Sequence, residues 1–190
     1  MGGTGKLDNS LRRLALRTTL KHAIANGAAR SWEAGVRAAR RDLRWISRFS
    51  GLAVEPVEAT QALGLLEHAD AVAGRYVTAI RQAEIDAQVE RSKDIIRTAI
   101  EDEKWRLDRI AVTENSVAFN DARIETVDLS VQQADLEAKT GLKLVAYWDA
   151  LLDACENCNS LDGKDEPHWG GERPGAVHVN CRCSYHFELR

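Results

Sequence analysis

Residues 141–189 read GLKLVAYWDALLDACENCNSLDGKDEPHWGGERPGAVHVNCRCSYHFEL, and this stretch decides the fold. Leu142-Lys143-Leu144-Val145-Ala146-Tyr147-Trp148 is short, apolar and bounded by Gly141 and Asp149, which suits a β-strand. At the other end, Cys183-Ser184-Tyr185-His186-Phe187-Glu188-Leu189 alternates side to side as a closing strand does. Loops rich in Asn, Asp, Gly and Pro fill residues 156–175, and all 4 cysteines of the chain fall in this C-terminal quarter. The pattern predicts a small Cys-rich α+β module over 141–190.

Cys155-Glu156-Asn157-Cys158 is a CxxC and Cys181-Arg182-Cys183 a CxC, with His178 three residues before Cys181. Each short turn presents two sulfurs toward one point, and the intervening loop brings the pairs together as a knuckle. Four soft N/S ligands satisfy tetrahedral zinc, so structural zinc is the expected cofactor. The spacing allows Cys155, Cys158, Cys181 and Cys183, or equally Cys155, Cys158, His178 and Cys181. His168, beside Trp169, is a further imidazole that the Pro167–Gly171 loop can bring near. The alternatives are reduced cysteines packed as small hydrophobes, or disulfides formed after release from the cell. A catalytic zinc is disfavoured, because HExxH is absent and Ala154 stands where the deaminase pattern needs proline.

Upstream the texture is helical. Pro56 stands alone until Pro167, so long helices are permitted. Leu7, Leu11 and Leu14 suggest a first helix that breaks near Asn26-Gly27. Ser31 then reads as an N-cap for a helix carrying Trp32, Val36, Ala39, Leu43 and Ile46 at alternating spacing of 4 and 3, and Ser50-Gly51 ends it. Pro56 suits the first turn of another helix, and Ala69, Ala73, Tyr76, Ile80 and Ala83 continue the period toward Ile110. Two or three helices, or one with a bend, are expected. The fold class is therefore mainly α: a basic helical N-terminal arm over 1–50, an elongated helical region over 51–140, and the α+β knuckle over 141–190. Trp32, Trp45 and Trp105 are expected to pack helices together, and Trp148 and Trp169 to build the small C-terminal core.

The 190 residues carry a formal net charge of -3, with 29% charged residues and a mean hydropathy of -0.36. No apolar run is long enough to span a bilayer. The stretch from Leu11 to Ile24 is broken by Arg12, Arg13, Arg17, Lys21 and His22, so it does not read as a secretory signal. Synthesis in the cytoplasm follows, and Met1–Lys6 reads as a disordered leader. The charge is unevenly placed: residues 1–50 hold 11 Lys/Arg against 3 Asp/Glu, a net of +8, which leaves -11 for the other 140. A cationic arm on an acidic body implies an anionic partner, nucleic acid or an acidic protein surface. Arg12, Arg13, Arg17, Arg37, Arg40, Arg41, Arg44 and Arg48 are the expected contacts.

Tyr147-Trp148-Asp149, the run from Asp153 to Lys164 with its Leu161-Asp162-Gly163 turn, Arg173-Pro174-Gly175 and His178-Val179-Asn180-Cys181-Arg182-Cys183 occur in the order found in one known module. They resemble the C-terminal part of phage minor head proteins, the head-morphogenesis family that includes the Mu F-type proteins. Arg109-Ile110-Ala111-Val112-Thr113-Glu114 with Asn120 is similar to that family's helix with an R…TE…N pattern. The resemblance covers roughly residues 105–190. Many members have histidine where Cys158 stands and no cysteine at Cys155. Membership implies a structural virion component made in the host cytoplasm. It would lie inside the head near the portal and assist head assembly, DNA packaging or DNA delivery, with portal or capsid proteins as partners. Packaged DNA would meet the basic arm, no membrane is involved, and no catalytic activity is implied.

Read physically, Gly163 takes positive φ in the turn, while the Asp162 carboxylate bonds nearby amides. Asn180 caps a tight turn before Cys181, and Arg182 points away from the thiols toward Asp149 or Asp162. Arg109 and Glu114 are five apart on one helix and are expected to reach other segments as structural residues, as is Trp148. A phage-encoded transferase or nuclease would need a nucleophile beside a base, which the motif residues do not supply. A nucleic-acid-binding zinc knuckle would need basic surroundings, yet residues 155–190 hold 4 Lys/Arg against 6 Asp/Glu.

Overall fold

The computed structural model describes residues 4–57, 65–90 and 94–190, with side chains over 11–57, 69–87 and 94–190. The chain is mainly helical: α1 spans Thr4–Ser50, α2 Leu65–Glu90, α3 Asp94–Ala134 and α4 Leu136–Thr140. Then follow β1 (Leu144–Asp149), α5 (Glu156–Leu161), a single 3-10 turn (Glu166–His168) and β2 (Ser184–Leu189). The strands pair antiparallel, Leu144 opposite Leu189 and Asp149 opposite Ser184, which makes the small C-terminal α+β module. No described helix is long and apolar enough to cross a membrane. Of the expected leader, Met1–Gly3 lies outside the described residues, and α1 already includes Thr4.

Two helix boundaries differ from expectation. Asn26-Gly27 does not break α1 and Ser31 caps nothing, since all three lie inside it. An interior glycine costs about 1 kcal/mol relative to alanine. Burial on the C-terminal side outweighs it: Ala28, Trp32, Val36, Ala39, Leu43 and Ile46 are all buried. The helix ends where expected, with Gly51 at φ 71 and its N–H donating to the Ser47 carbonyl at 3.1 Å. Pro56 lies in a non-helical segment, 53–57, instead of a first helical turn. Serine hydroxyls hold that segment, because Val54 N–H donates to Ser47 Oγ at 3.0 Å and Val57 N–H to Ser130 Oγ at 2.7 Å. Residues 58–64 lie outside the described ones.

The chain divides into two compact units, residues 1–27 with 62–111, and residues 28–61 with 112–190. In the first, Ala69, Val72, Ala73, Ala83 and Ala87 are buried. Two arginines of α1 are engaged there, Arg13 with Glu84 at 2.5 Å and Arg17 with Asp70 at 2.5 Å. The Arg17 hydrogen bond holds the Asp70 carboxyl below its usual range. Trp105, expected to pack between helices, is instead 59% exposed, and the Arg109 guanidinium lies 4.3 Å over its ring.

The second unit holds the larger core. Ala39, Leu43 and Ile46 of α1 and Val127 of α3 cluster with Trp148, Trp169, Tyr185, Phe187 and three buried cysteines. Trp148 and Trp169 meet edge to face, ring centroids 5.8 Å apart. Such pairs add about 0.5–1.5 kcal/mol beyond burial. Trp32 packs with Val36 and Ala122 in a smaller cluster, whereas Trp45 is 36% exposed. Gly35 permits a close crossing, since a Cβ there would stand 2.2 Å from the Phe119 carbonyl oxygen of α3.

Arg123 on α3 joins three elements. Its guanidinium donates to Asp42 of α1 at 2.7 and 3.1 Å, to Ser184 Oγ at 3.0 Å and to the Tyr185 carbonyl at 2.7 Å. On another side of α3, Asp121, Glu125 and Asp128 follow a spacing of 4 and 3 and face Glu166 and Arg173. Asp128 is solvent-accessible by area yet crowded enough that desolvation, then Glu166 and Glu125, push its carboxyl up to about 6.

The folded state thus binds the Asp128 proton more tightly than the unfolded chain, whose value is near 3.8. Its contribution is most favourable below that value and is lost as pH rises through about 6. Asp128→Asn should flatten urea-unfolding stability between those limits. It should also raise stability at neutral pH by on the order of 1 kcal/mol after allowance for solvent screening. A pH profile unchanged from the parent chain would refute this.

Candidate metal centre

The first turn of α5 places Cys155 and Cys158 together, and the tight turn at Asn180, φ 68, turns the chain so that Cys181 and Cys183 follow from the other side. The Cys181 N–H donates to the His178 carbonyl at 3.0 Å, which closes that turn and carries His178 in with the thiols. The five sequence-predicted donors therefore fall into two triads that share Cys158. Cys155, Cys158 and His178 have their ligand atoms within 4.8 Å of one another, and so do Cys158, Cys181 and Cys183. Cys158 belongs to both groups and is fully buried, as Cys181 nearly is, while Cys155 is exposed.

Nε2 of His178 lies 3.1 Å from Cys155 Sγ and 3.2 Å from Cys158 Sγ. On the other side of the ring, Nδ1 lies 2.9 Å from the Val179 carbonyl. Only a protonated Nδ1 can bond a carbonyl, so the neutral ring turns the Nε2 lone pair toward the sulfurs, the form a metal ligand needs. Cys158 and Cys181 sulfurs are 3.8 Å apart. The edge of a sulfur tetrahedron around zinc is about 3.8 Å for Zn–S bonds of roughly 2.3 Å. The donor set fits a metal ion: sulfurs and an imidazole converge at coordination-like spacing, and the cluster can hold one.

The thiols are not equivalent. Backbone N–H groups of the α5 turn, that of Cys158 foremost, hold the exposed Cys155 thiol below its ordinary range. Burial pushes Cys158 and Cys183 up, so with no cation both stay protonated. For Cys183 the rise is opposed by its neighbour Cys158, by the Leu151 amide and by the Trp148 indole. That indole N–H is buried and has no partner at normal hydrogen-bond geometry among the described residues, although it stands close enough to favour the thiolate.

The motif residues of α3 hold the knuckle in place. Asn120, 1% exposed, donates from Nδ2 to the Cys183 carbonyl at 2.8 Å, and Thr113 Oγ1 accepts the Asn180 N–H at 2.8 Å. Gly175 of the Pro-Gly turn packs onto the same helix surface; a Cβ there would stand 2.8 Å from Asn120 Nδ2 and 2.9 Å from Ser116 Oγ. Below the knuckle, Trp148 N–H donates to the Lys164 carbonyl, and Gly163, at φ 68, donates back to the Trp148 carbonyl, both at 2.9 Å. Asp162 Oδ1 accepts an amide as expected, but that of Ala150, 12 positions upstream and outside its own turn, at 2.8 Å.

Some expected placements change. Arg182 pairs with Asp153 at 2.8 Å, not with Asp149 or Asp162. His168 turns to Asp165 and is 67% exposed on its side chain, so it is not one of the grouped donors. Glu114 is half-buried on α3. Spacing alone did not reveal Arg123, which carries no motif and acts through pairing at |i−j| of 81 and 61.

Compared with models of protein families, with characterised proteins and with solved structures, the chain matches none.

Outer partners of metal ligands typically affect affinity by 10- to 100-fold. Asn120→Ala is expected to weaken the affinity of the cluster for a metal ion by roughly 10-fold, measured by chelator competition, while leaving far-UV dichroism of the helices unchanged. Unaltered affinity in a folded variant would detach Asn120 from the centre.

Proposed function

We propose that the chain is a structural minor head protein of a tailed-phage or phage-like particle, with a C-terminal knuckle stapled by zinc. One observation carries the reading. The segments behind the family resemblance, separated by up to seventy positions of sequence, are hydrogen-bonded into a single piece: Thr113 to Asn180, Asn120 to Cys183, and Trp148 to Gly163 and Lys164. The motif thus reads as an architectural unit, in which each part positions another.

Zinc is the ion that the donors suit, since three thiolates and an imidazole form a soft set that favours tetrahedral coordination. Cys155, Cys158, His178 and Cys181 are the proposed ligands. Cys181 sits at the tetrahedral-edge distance from Cys158, whereas Cys183 lies near the Leu151 amide and the Trp148 indole. Bound there, zinc would neutralise the thiolates and cross-link α5 to the 178–183 turn. Four protein ligands leave no position for a substrate, which is the arrangement of structural and not catalytic sites.

Elemental analysis of the purified chain should find about one zinc per molecule, lost in Cys181→Ser and retained in Cys183→Ser. A folded, metal-free parent protein would remove zinc from the reading, and the reverse ranking of the two variants would exchange the ligands. For the particle itself, mass spectrometry of purified virions should detect the chain in few copies, protected from protease until the head is opened. Its absence from particles would overturn the head-protein reading.

A further inference from the structure

Arg37, Arg41, Arg44 and Arg48 lie at a spacing of 4, 3 and 4 on α1, which places them on one helix face, and all are exposed. Trp45 and Phe49 follow one edge of that face, 36% and 63% exposed, with ring centroids 5.3 Å apart. The opposite edge borders a groove of about 500 Å³ lined by Arg40, Leu43, Arg44, Ser47 and Val54. Opposite charge is scarce. Between Ala34 and Val54 the sole acid is Asp42, and it is turned to Arg123. Glu33 approaches Arg37 only at 3.8 Å, with both side chains well exposed, and Glu55 stands on the groove's far wall. The first arginines of the helix differ, since Arg13 and Arg17 already pair with Glu84 and Asp70.

We infer that this face of α1 is a binding track for single-stranded nucleic acid. The arginine row is the length of an eleven-residue helical step, about 16 Å, close to five stacked nucleotides at about 3.4 Å each. Phosphates lie along the arginines, whose planar forks grip phosphate oxygens two at a time. Bases stack on Trp45, which a duplex cannot offer from its interior, so the pair of exposed aromatic rings beside the cations selects the single strand over the double one. An acidic protein surface would match the charge but gives the indole no stacking partner. The inference goes beyond the head-protein reading and is tested apart from it: particle incorporation can hold while binding fails, and the reverse.

The test is fluorescence anisotropy of the full chain with a labelled single strand of roughly 20 nucleotides and the same sequence as duplex, each at about 50 and about 200 mM salt. The single strand should bind more tightly, with a log–log salt slope near -3 for about four phosphate contacts. Arg41→Ala with Arg44→Ala should roughly halve that slope. Trp45→Ala should weaken single-strand binding by roughly 10-fold, leave the salt slope unchanged and leave duplex binding untouched. Circular dichroism of each variant confirms that α1 persists, and Phe49→Ala gives a second reading of the aromatic edge if Trp45→Ala does not fold. Equal or stronger duplex binding, a flat salt dependence, or folded aromatic variants that bind like the parent would each overturn the inference.

Discussion

The Arg123 guanidinium is the constraint around which residues 28–61 and 112–190 are organised. A two-stranded sheet is marginal alone in water, and β1 with β2 needs a surface to rest on. Arg123 supplies direction as well as attraction: it reaches Asp42 on one helix and both Ser184 and the Tyr185 carbonyl on the strand, while its plane lies 5.3 Å over Phe187. Arg123 and Asp42 are mostly shielded, with side-chain exposures of 16% and 21%. Removing one member of such a pair strands the other, at a cost of about 3 kcal/mol, whereas replacing both by apolar groups can be neutral. The pair therefore specifies which way the strands dock more than it supplies net stability.

Around that anchor, α3 acts as a spine with two kinds of contact. Its apolar side contributes Ala122 and Val127 to the cores, and its polar side contributes Thr113 and Asn120 to the backbone of the knuckle. The knuckle has little regular structure of its own, with a six-residue helix and a single 3-10 turn between its strands. Side-chain clamps, tight turns and a metal cross-link compensate for that in small modules. Burial of Cys158 and Cys183 raises their thiols, so thiolates at these positions would need a bound cation to be favourable.

The basic helix has two fates along its length. Residues 28–50 bury Ala39, Leu43 and Ile46 on one side, so the opposite arginines are held on a rigid scaffold and not on a loose tail. A fixed row of cations loses less conformational entropy on binding than a disordered one. Charges at Arg13 and Arg17 are met within the molecule, and their contribution to an outside field is correspondingly reduced. The net of +8 over residues 1–50 overstates the cationic surface that this region presents.

Periodicity and residue type by themselves determined the helical class, the two strands, the positive-φ turn at Gly163 and the membership of the Cys/His cluster. These are local properties, set by side-chain spacing of 2 or about 3.6 and by backbone preference within a few residues. Tertiary structure decided the rest. The Asn26-Gly27 pair looked like a break because the cost of glycine is local, while the burial of Ala28, Trp32 and Val36 that overrides it is not. Arg123 and Asp42 are ordinary charged residues on ordinary helices until the fold brings them together across 81 positions. Likewise, Thr113 and Asn120 were visible only as letters of a pattern: Asn120 meets the Cys183 carbonyl because packing buries both and each needs a partner, and Thr113 meets the exposed Asn180 amide only because the fold brings residues 67 positions apart together.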